Sequence, residues 1–210
     1  MGALTSYCKT DDVLRLLAGY DTAAIGSEDD LRARVRELLA PTRGAVDTEA
    51  GRDFLLHFDD TVQQDGNGSG TLGLAQLGVR PIQSVRELTV DGTEIPDGEY
   101  VCYGDEGVVR LKAGGRLGGV FPVGVQNVTT RVDWGYDRPP ADIGLAQAKL
   151  VAGQVLSEVA GVRGSVGSMS LGDYSVSYDA GGEHAGVIQR WVEDARRVAR
   201  SYRELRFVVV

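Results

Sequence analysis

Two histidines, two cysteines and one short acidic turn are the residues here whose types could make a chemical site. His57 lies in the β-prone run Phe54-Leu55-Leu56-His57-Phe58, and His184 lies near the start of a helical pattern. A Ser-His-Asp or Cys-His engine needs an imidazole that another segment orients toward an activated nucleophile. Neither histidine has a nucleophile motif beside it, and no G-x-S-x-G occurs, so both read as structural. Cys8 and Cys102 are far apart with no metal-type spacing, which suggests free thiols in a reducing compartment. In Asp65-Gly66-Asn67-Gly68-Ser69-Gly70, the residues Asp65, Asn67 and Ser69 match the opening of an EF-hand loop. The twelfth position is Gln76 rather than the bidentate glutamate that calcium requires. The run therefore reads as a hairpin turn, with calcium at Asp65, Asn67 and Ser69 as the alternative. It is not a phosphate loop either, because no Lys-Ser/Thr follows. No catalytic residue, metal or cofactor is assigned, and the expectation is that the protein is not an enzyme.

The charge balance narrows the partners. The chain has 22 basic and 30 acidic residues among 210, a net charge of −8. Wrapping nucleic-acid phosphates needs an excess of Lys and Arg, so this chain is a poor DNA wrapper. It could still line a passage through which DNA slides without sticking. No stretch approaches the ~18 apolar residues of a membrane span. The start, Met1-Gly2-Ala3-Leu4-Thr5, lacks the basic end and apolar run of a signal peptide, so synthesis is expected in the cytosol.

The elements that must position any site fall into three groups. Thr10 reads as the cap of a short helix through Ala18, with Asp11 and Asp12 in its first turn. Ser27 caps a second helix whose stripe is Leu31, Val35, Leu38, Leu39, Thr42, Val46 and Ala50. Pro41 interrupts that stripe without shifting its phase, so one kinked helix ending at Gly51 is expected. From Phe54 to Trp134 the period changes to that of strands. Phe54–Phe58 reads as one strand, and Val85–Val90 leads into Asp91-Gly92, a strong hairpin signal. Tyr100–Tyr103 and Val108–Leu111 flank Gly104–Gly107 as a second hairpin. Ala113–Gly119 reads as an exposed Gly-rich loop. Asn127–Trp134 is the last strand, with Val128, Thr130 and Val132 on one face.

Pro140 suits the first turn of a third helix, which carries Ile143, Ala146, Leu150, Val151 and Val155 and ends near Gly161. Its small residues Gly144, Ala148, Ala152 and Gly153 predict close packing against another helix. Gly161–Ala180 is expected to be irregular. A fourth helix from about Glu183 to Glu204 has an inner face of Val187, Ile188, Trp191, Val192, Ala195, Val198, Ala199 and Tyr202. Its outer face carries Arg190, Arg196, Arg197, Arg200 and Arg203. Such faces are mostly solvated, with an acidic partner or DNA as the functional alternative. The fold class predicted is α+β. A small helical-bundle core (1–62 and 138–206) carries an inserted antiparallel β-lobe of hairpins (63–137), and a short β-prone tail (207–210) follows, one domain overall.

The order of these pieces is distinctive. Two helices precede Gly51-Arg52-Asp53-Phe54. A β-lobe follows with Pro81-Ile82-Gln83-Ser84-Val85 and Val90-Asp91-Gly92. Then come Gly135-Tyr136, Pro140-Ala141-Asp142-Ile143 and Gly172-Asp173-Tyr174-Ser175-Val176. This ordered set resembles the head-to-tail connector (adaptor) proteins of tailed bacteriophages and related proviruses, over nearly the whole chain. The resemblance implies a structural virion protein at the capsid vertex, in the neck. There a dodecameric ring of copies sits beneath the portal protein, double-stranded DNA passes through without sequence-specific binding, and a tail or tail-completion protein attaches below. It also favours docking of the carboxy-terminal segment, Arg200, Arg203, Arg206, Phe207, Val208, Val209 and Val210, on the portal, with pairing of residues 207–210 to a sheet edge in the same chain as the alternative. Gly114, Gly115, Gly118, Gly119, Gly172, Asp173 and Tyr174 are expected in loops that order on assembly. Three other readings remain beside this one: a ligand-binding α/β module for calcium or carbohydrate at Asp65–Gly70, a tail-completion protein, and a hydrolase with an unrecognised acidic site.

Overall fold

The computed structural model describes residues 6–161, 166–171, 174–179 and 182–203. They form an α+β protein, as the alternation of periods predicts. The described chain divides into two compact units: residues up to Phe54 together with those from Pro139, and Leu55–Arg138.

The first unit is helical. Helix α1 spans Thr10–Leu17, α2 Glu28–Ala50, α3 Ala141–Ala160 and α4 Ala185–Ser201. The cap of α1 is Lys9 rather than Thr10, because the Asp12 carboxylate reaches back to the Lys9 N–H at 2.9 Å. Ser27 caps α2 as expected, accepting from Asp30 N while Asp30 accepts from Ser27 N and Oγ. That reciprocal pairing satisfies donors which a helix start otherwise leaves open. Helix α2 runs through Pro41 without a break and closes at Gly51. Buried Ile143, Leu150, Val151, Val155 and Leu156 of α3 form the centre of the unit, and α1, α2 and α4 all pack on α3. The small residues permit this. A side chain at Gly144 would start 2.8 Å from the Tyr7 carbonyl, and Gly153 faces Ile188 of α4.

The segment expected to be irregular is a hairpin instead. Strands β8 (Val166–Leu171) and β9 (Tyr174–Asp179) pair antiparallel, with Met169 opposite Val176, and pack on the helices. Gly and Ser suggest a loop by composition, but a run that alternates serines with larger residues also suits a half-buried ribbon. Helix α4 accordingly starts at Ala185 rather than Glu183, and its last assigned residue is Ser201.

The second unit is built from two sheets. Strands β1 (His57–Gly66), β3 (Ile82–Val90), β4 (Thr93–Glu94) and β7 (Gly124–Trp134) form one, ordered β1-β7-β3-β4. Strands β2 (Thr71–Gly73), β5 (Tyr100–Tyr103) and β6 (Val108–Leu111) form the other, ordered β2-β6-β5. The first strand starts three residues later than Phe54, because Phe54 is buried in the helical unit. Inward residues of both sheets share one core: Leu88, Val90, Val128, Val132 and Trp134 from the first, and Leu72, Tyr100, Val109 and Leu111 from the second, joined by Phe121. Asp91 and Gly92 turn β3 into β4 with φ of 49° and 74°. That pair of positive values is the tight hairpin turn that Asp-Gly encodes.

Candidate assembly surfaces

The residues that could do chemistry are absorbed by structure. His57 stacks on Trp134 at 3.9 Å, and the Trp134 indole N–H donates to Asp60. His184 sits at the start of α4, edge-on to Tyr20. Cys8 and Cys102 are both free thiols. Burial, with the nearby Asp12 carboxylate, pushes the Cys8 thiol up to about 12, and burial also raises Cys102. Both therefore lack the thiolate that reactivity needs. Asp65, Asn67 and Ser69 spend their oxygens locally: Asp65 accepts from Gln126 N, and Asn67 accepts from Ser69 N and Oγ. Among the described residues, no group of three or more His, Cys, Asp or Glu is placed to hold a metal. No helix among them is long and apolar enough to cross a membrane.

Several large hydrophobic side chains are exposed on the β unit. In the β unit, the Asp65–Gly70 turn lies against the segment that leads into β7. Gly68 N donates to Phe121 O, and Phe121 N donates to Ser69 O. This pins buried Phe121 and leaves its neighbours outward: Val123 is 81% exposed and Val125 86%. Phe58 on β1 is also largely exposed, and β1 is an edge strand of its sheet. An exposed edge with apolar side chains is a template for pairing.

The Gly-rich loop is a chain of tight turns rather than an unstructured span. Gly115 N donates to Lys112 O and Gly118 N to Gly115 O, while the backbone and side chain of Arg116 both donate to Glu99. Gly115 and Gly119 are packed, against Glu99 and Ala113, whereas Gly114 and Gly118 face open space. Tyr174 is the first residue of β9; Gly172 and Asp173 lie outside the described residues.

On the β unit's solvent face, an ion network crosses three strands. Arg86 grips Asp133 through two hydrogen bonds of 2.6 and 2.8 Å, and Arg131 holds both Asp59 and Glu87. The Arg86 guanidinium, helped by the Asp59 N–H, lowers the Asp133 carboxyl to about 2.

In the helical unit, the Arg face of α4 is outward as predicted. Arg190, Arg197, Arg200 and Arg203 are exposed and Ile188, Trp191, Val192, Ala195 and Ala199 are buried, while Arg196 of the outer face and Val187, Val198 and Tyr202 of the inner face are half-buried. Arg200 pairs with Glu49, Arg197 pairs with Asp194, and Arg196 donates to the Ser170 carbonyl. The portal-docking segment proposed from the sequence is thus described only at Arg200 and Arg203. Arg206, Phe207, Val208, Val209 and Val210 lie outside the described residues. A second feature of the unit is an open groove of about 450 Å³ between α1 and the start of α3, lined by Leu16, Pro139, Pro140, Leu145 and Ala148.

The sequence reading missed the polar hub that fixes the helical unit. Gln147, fully buried on α3, accepts from Tyr7 N at 2.6 Å and Cys8 N at 3.1 Å and donates to Leu39 O at 2.6 Å. Tyr7 donates its hydroxyl proton to Asp47 and accepts from Phe54 N at 3.0 Å. Burial, reinforced by Asp47, holds the Tyr7 hydroxyl in its protonated form, and burial raises Asp47. The only signal in the sequence was one long polar residue, Gln147, inside an otherwise apolar helical stripe.

No family model matches the chain, and no curated protein matches it either. Solved structures do. A chain from the neck of an empty GTA particle computed with C6 symmetry superposes with a TM-score of 0.51 at 14% identity, covering 100% of this chain and 96% of that one. A chain from the virion of a native gene transfer agent (GTA) particle gives 0.48 at 15% identity, with 100% and 96% covered. One from the neck of the native particle computed with C12 symmetry gives 0.42 at 14% identity, with 100% and 97% covered. The first of these extends over both units, so the fold of this chain, from end to end, is similar to that of a neck chain of a gene transfer agent particle.

Proposed function

We propose that this protein is a structural neck subunit of a tailed virion or virion-like particle, a head-to-tail connector that forms a ring between portal and tail. The observation that carries the reading is the full-length similarity of fold to a GTA neck chain, at a TM-score of 0.51. That neck was computed with C6 symmetry, which supports a ring of copies. The sequence supports the same reading through the ordered set of turns and corners that resembles connector proteins.

The surfaces suit the role. The exposed valines of the β unit and the outward Arg face of α4 are contact surfaces, while the histidines and thiols are committed to packing. A net charge of −8 suits a channel wall that DNA passes without adhering. The portal above and a tail or tail-completion protein below are the partners of this reading, and the segment from Arg200 through Arg203 and Arg206 to Val210 is its portal-docking element.

The test is assembly. Purified chain mixed with portal rings should give a complex of the two rings by mass photometry, and cryo-electron microscopy should locate the chain beneath the portal. A chain that stays monomeric and leaves the portal mass unchanged at every ratio refutes the proposal.

A further inference from the structure

We infer that the ring closes through charge. The Arg face of α4 in one copy docks on the acidic corner formed by α1 and the start of α2 in the next copy. This rests on the ring reading above and names the surfaces that such a ring would use.

Both surfaces belong to the helical unit, and they carry opposite charge. From Thr10 to Arg32 the chain holds Asp11, Asp12, Asp21, Glu28, Asp29 and Asp30 against Arg15, which pairs with Asp12, and Arg32, which pairs with Asp11 and Glu28, so an excess of carboxylates remains. Asp11, Asp21, Glu28, Asp29 and Asp30 are exposed. On α4, Arg190, Arg196, Arg197 and Arg200, with Arg203 just beyond, surround Glu193. Arg196, Arg197 and Arg200 also border an open cleft on that helix. The helical unit therefore carries a basic face on α4 and an acidic corner at α1 and the start of α2. Such complementary patches make a head-to-tail contact, which propagates and closes when the rotation between copies allows it.

A second copy fits the Arg face better than a nucleic acid does. Duplex DNA would meet Glu193 in the middle of the face and a body of net charge −8 behind it. The arginines also already take carboxylate partners: Arg197 binds Asp194, and Arg200 binds Glu49. Planar guanidinium groups on a helix face match further carboxylates bidentately, and the acidic corner supplies them.

The experiment is a charge swap. Arg190→Glu, Arg196→Glu and Arg197→Glu together make a chain acidic on both surfaces; Asp11→Arg, Glu28→Arg and Asp29→Arg together make one basic on both. Each variant alone should lose the ring mass that the wild-type chain gives with portal at low salt, while retaining the wild-type circular dichroism spectrum and cooperative melt. Mixed in equal amounts, the two should restore it, because every junction of an alternating even-membered ring then joins opposite charges. High salt should weaken the wild-type ring as well. Rings from either variant alone, or no recovery on mixing, overturn the charge pairing and leave the neck assignment standing. A variant Arg face that keeps its ring but loses retention of duplex DNA also overturns it, in favour of a nucleic-acid contact. A wild-type chain that forms no ring at all overturns both.

Discussion

The side-chain amide of Gln147 donates to the Leu39 carbonyl at 2.6 Å, two residues before Pro41. A proline inside a helix removes one backbone bond and displaces the carbonyls of the preceding turn. In α2 two carbonyls of that turn take side-chain donors: Thr42 Oγ1 donates to Leu38 O at 2.7 Å, and Gln147 reaches across from α3 to Leu39 O. The same amide oxygen fixes the backbone at Tyr7 and Cys8. One buried side chain thus joins α3, α2 and the segment before α1.

Gln147→Leu removes both functions while keeping the volume. It takes the amide oxygen away from the buried Tyr7 and Cys8 N–H groups, so the expected loss is roughly 2–4 kcal/mol in denaturant unfolding. A loss under about 1 kcal/mol, the range of ordinary surface changes, would show that water or rearrangement replaces the amide.

Trp191→Ala should cost about 3–5 kcal/mol. The indole is buried on α4 and packs edge-on to Tyr20, so truncation opens a cavity between the last helix and the segment after α1. Chemical denaturation followed by circular dichroism in the helical band measures it, because Trp191 lies in the helical unit. A near-neutral result would remove Trp191 from the core.

Asp133 gives the β unit an acid limb. Its carboxyl, held by Arg86 and the Asp59 N–H, is lowered from 3.8 to about 2. A folded value below the unfolded one contributes stability that is present above about 4 and is lost as the pH falls toward 2. Asp133→Asn should reduce stability at neutral pH and flatten the wild-type decline between those values. Parallel pH profiles for the two proteins would mean that other carboxylates carry the acid sensitivity.

Val123→Asp with Val125→Asp should leave the thermal midpoint within about 2 °C of wild type, since surface changes stay within ±0.5 kcal/mol. The same pair should abolish incorporation into the neck complex if the exposed tip is a contact, as read by mass photometry with portal. Normal incorporation would assign that tip to solvent.

Deleting residues 207–210 tests the portal-docking proposal separately. The truncated chain should melt as the wild type does and fail to bind portal. Unfolding of the free subunit, or normal portal binding, would reject the tail as the docking strand.

The fold was legible wherever one period ran long enough. The stripe from Leu31 to Ala50 survived a proline, the Asp91-Gly92 turn appeared where its sequence says, and Val128, Thr130 and Val132 share the buried face of β7. The β8–β9 hairpin was hidden because glycine and serine outweigh its alternation. The Gln147 hub was hidden because it depends on residues more than a hundred positions apart. The candidate surfaces were legible only in part: the Arg face of α4 is a pattern in one helix, but the exposure of Val123 and Val125 depends on how Phe121 is pinned by a distant turn.

The pairing of His57 with Trp134 has an evolutionary consequence. The β unit enters and leaves through neighbouring strands, so its two chain ends are held together by its own ladder. To the helical unit, this long insertion therefore closes like a short turn, and the entropy of closing it hardly depends on what lies between. A lineage could lengthen, shorten or exchange the lobe without rewriting the helices.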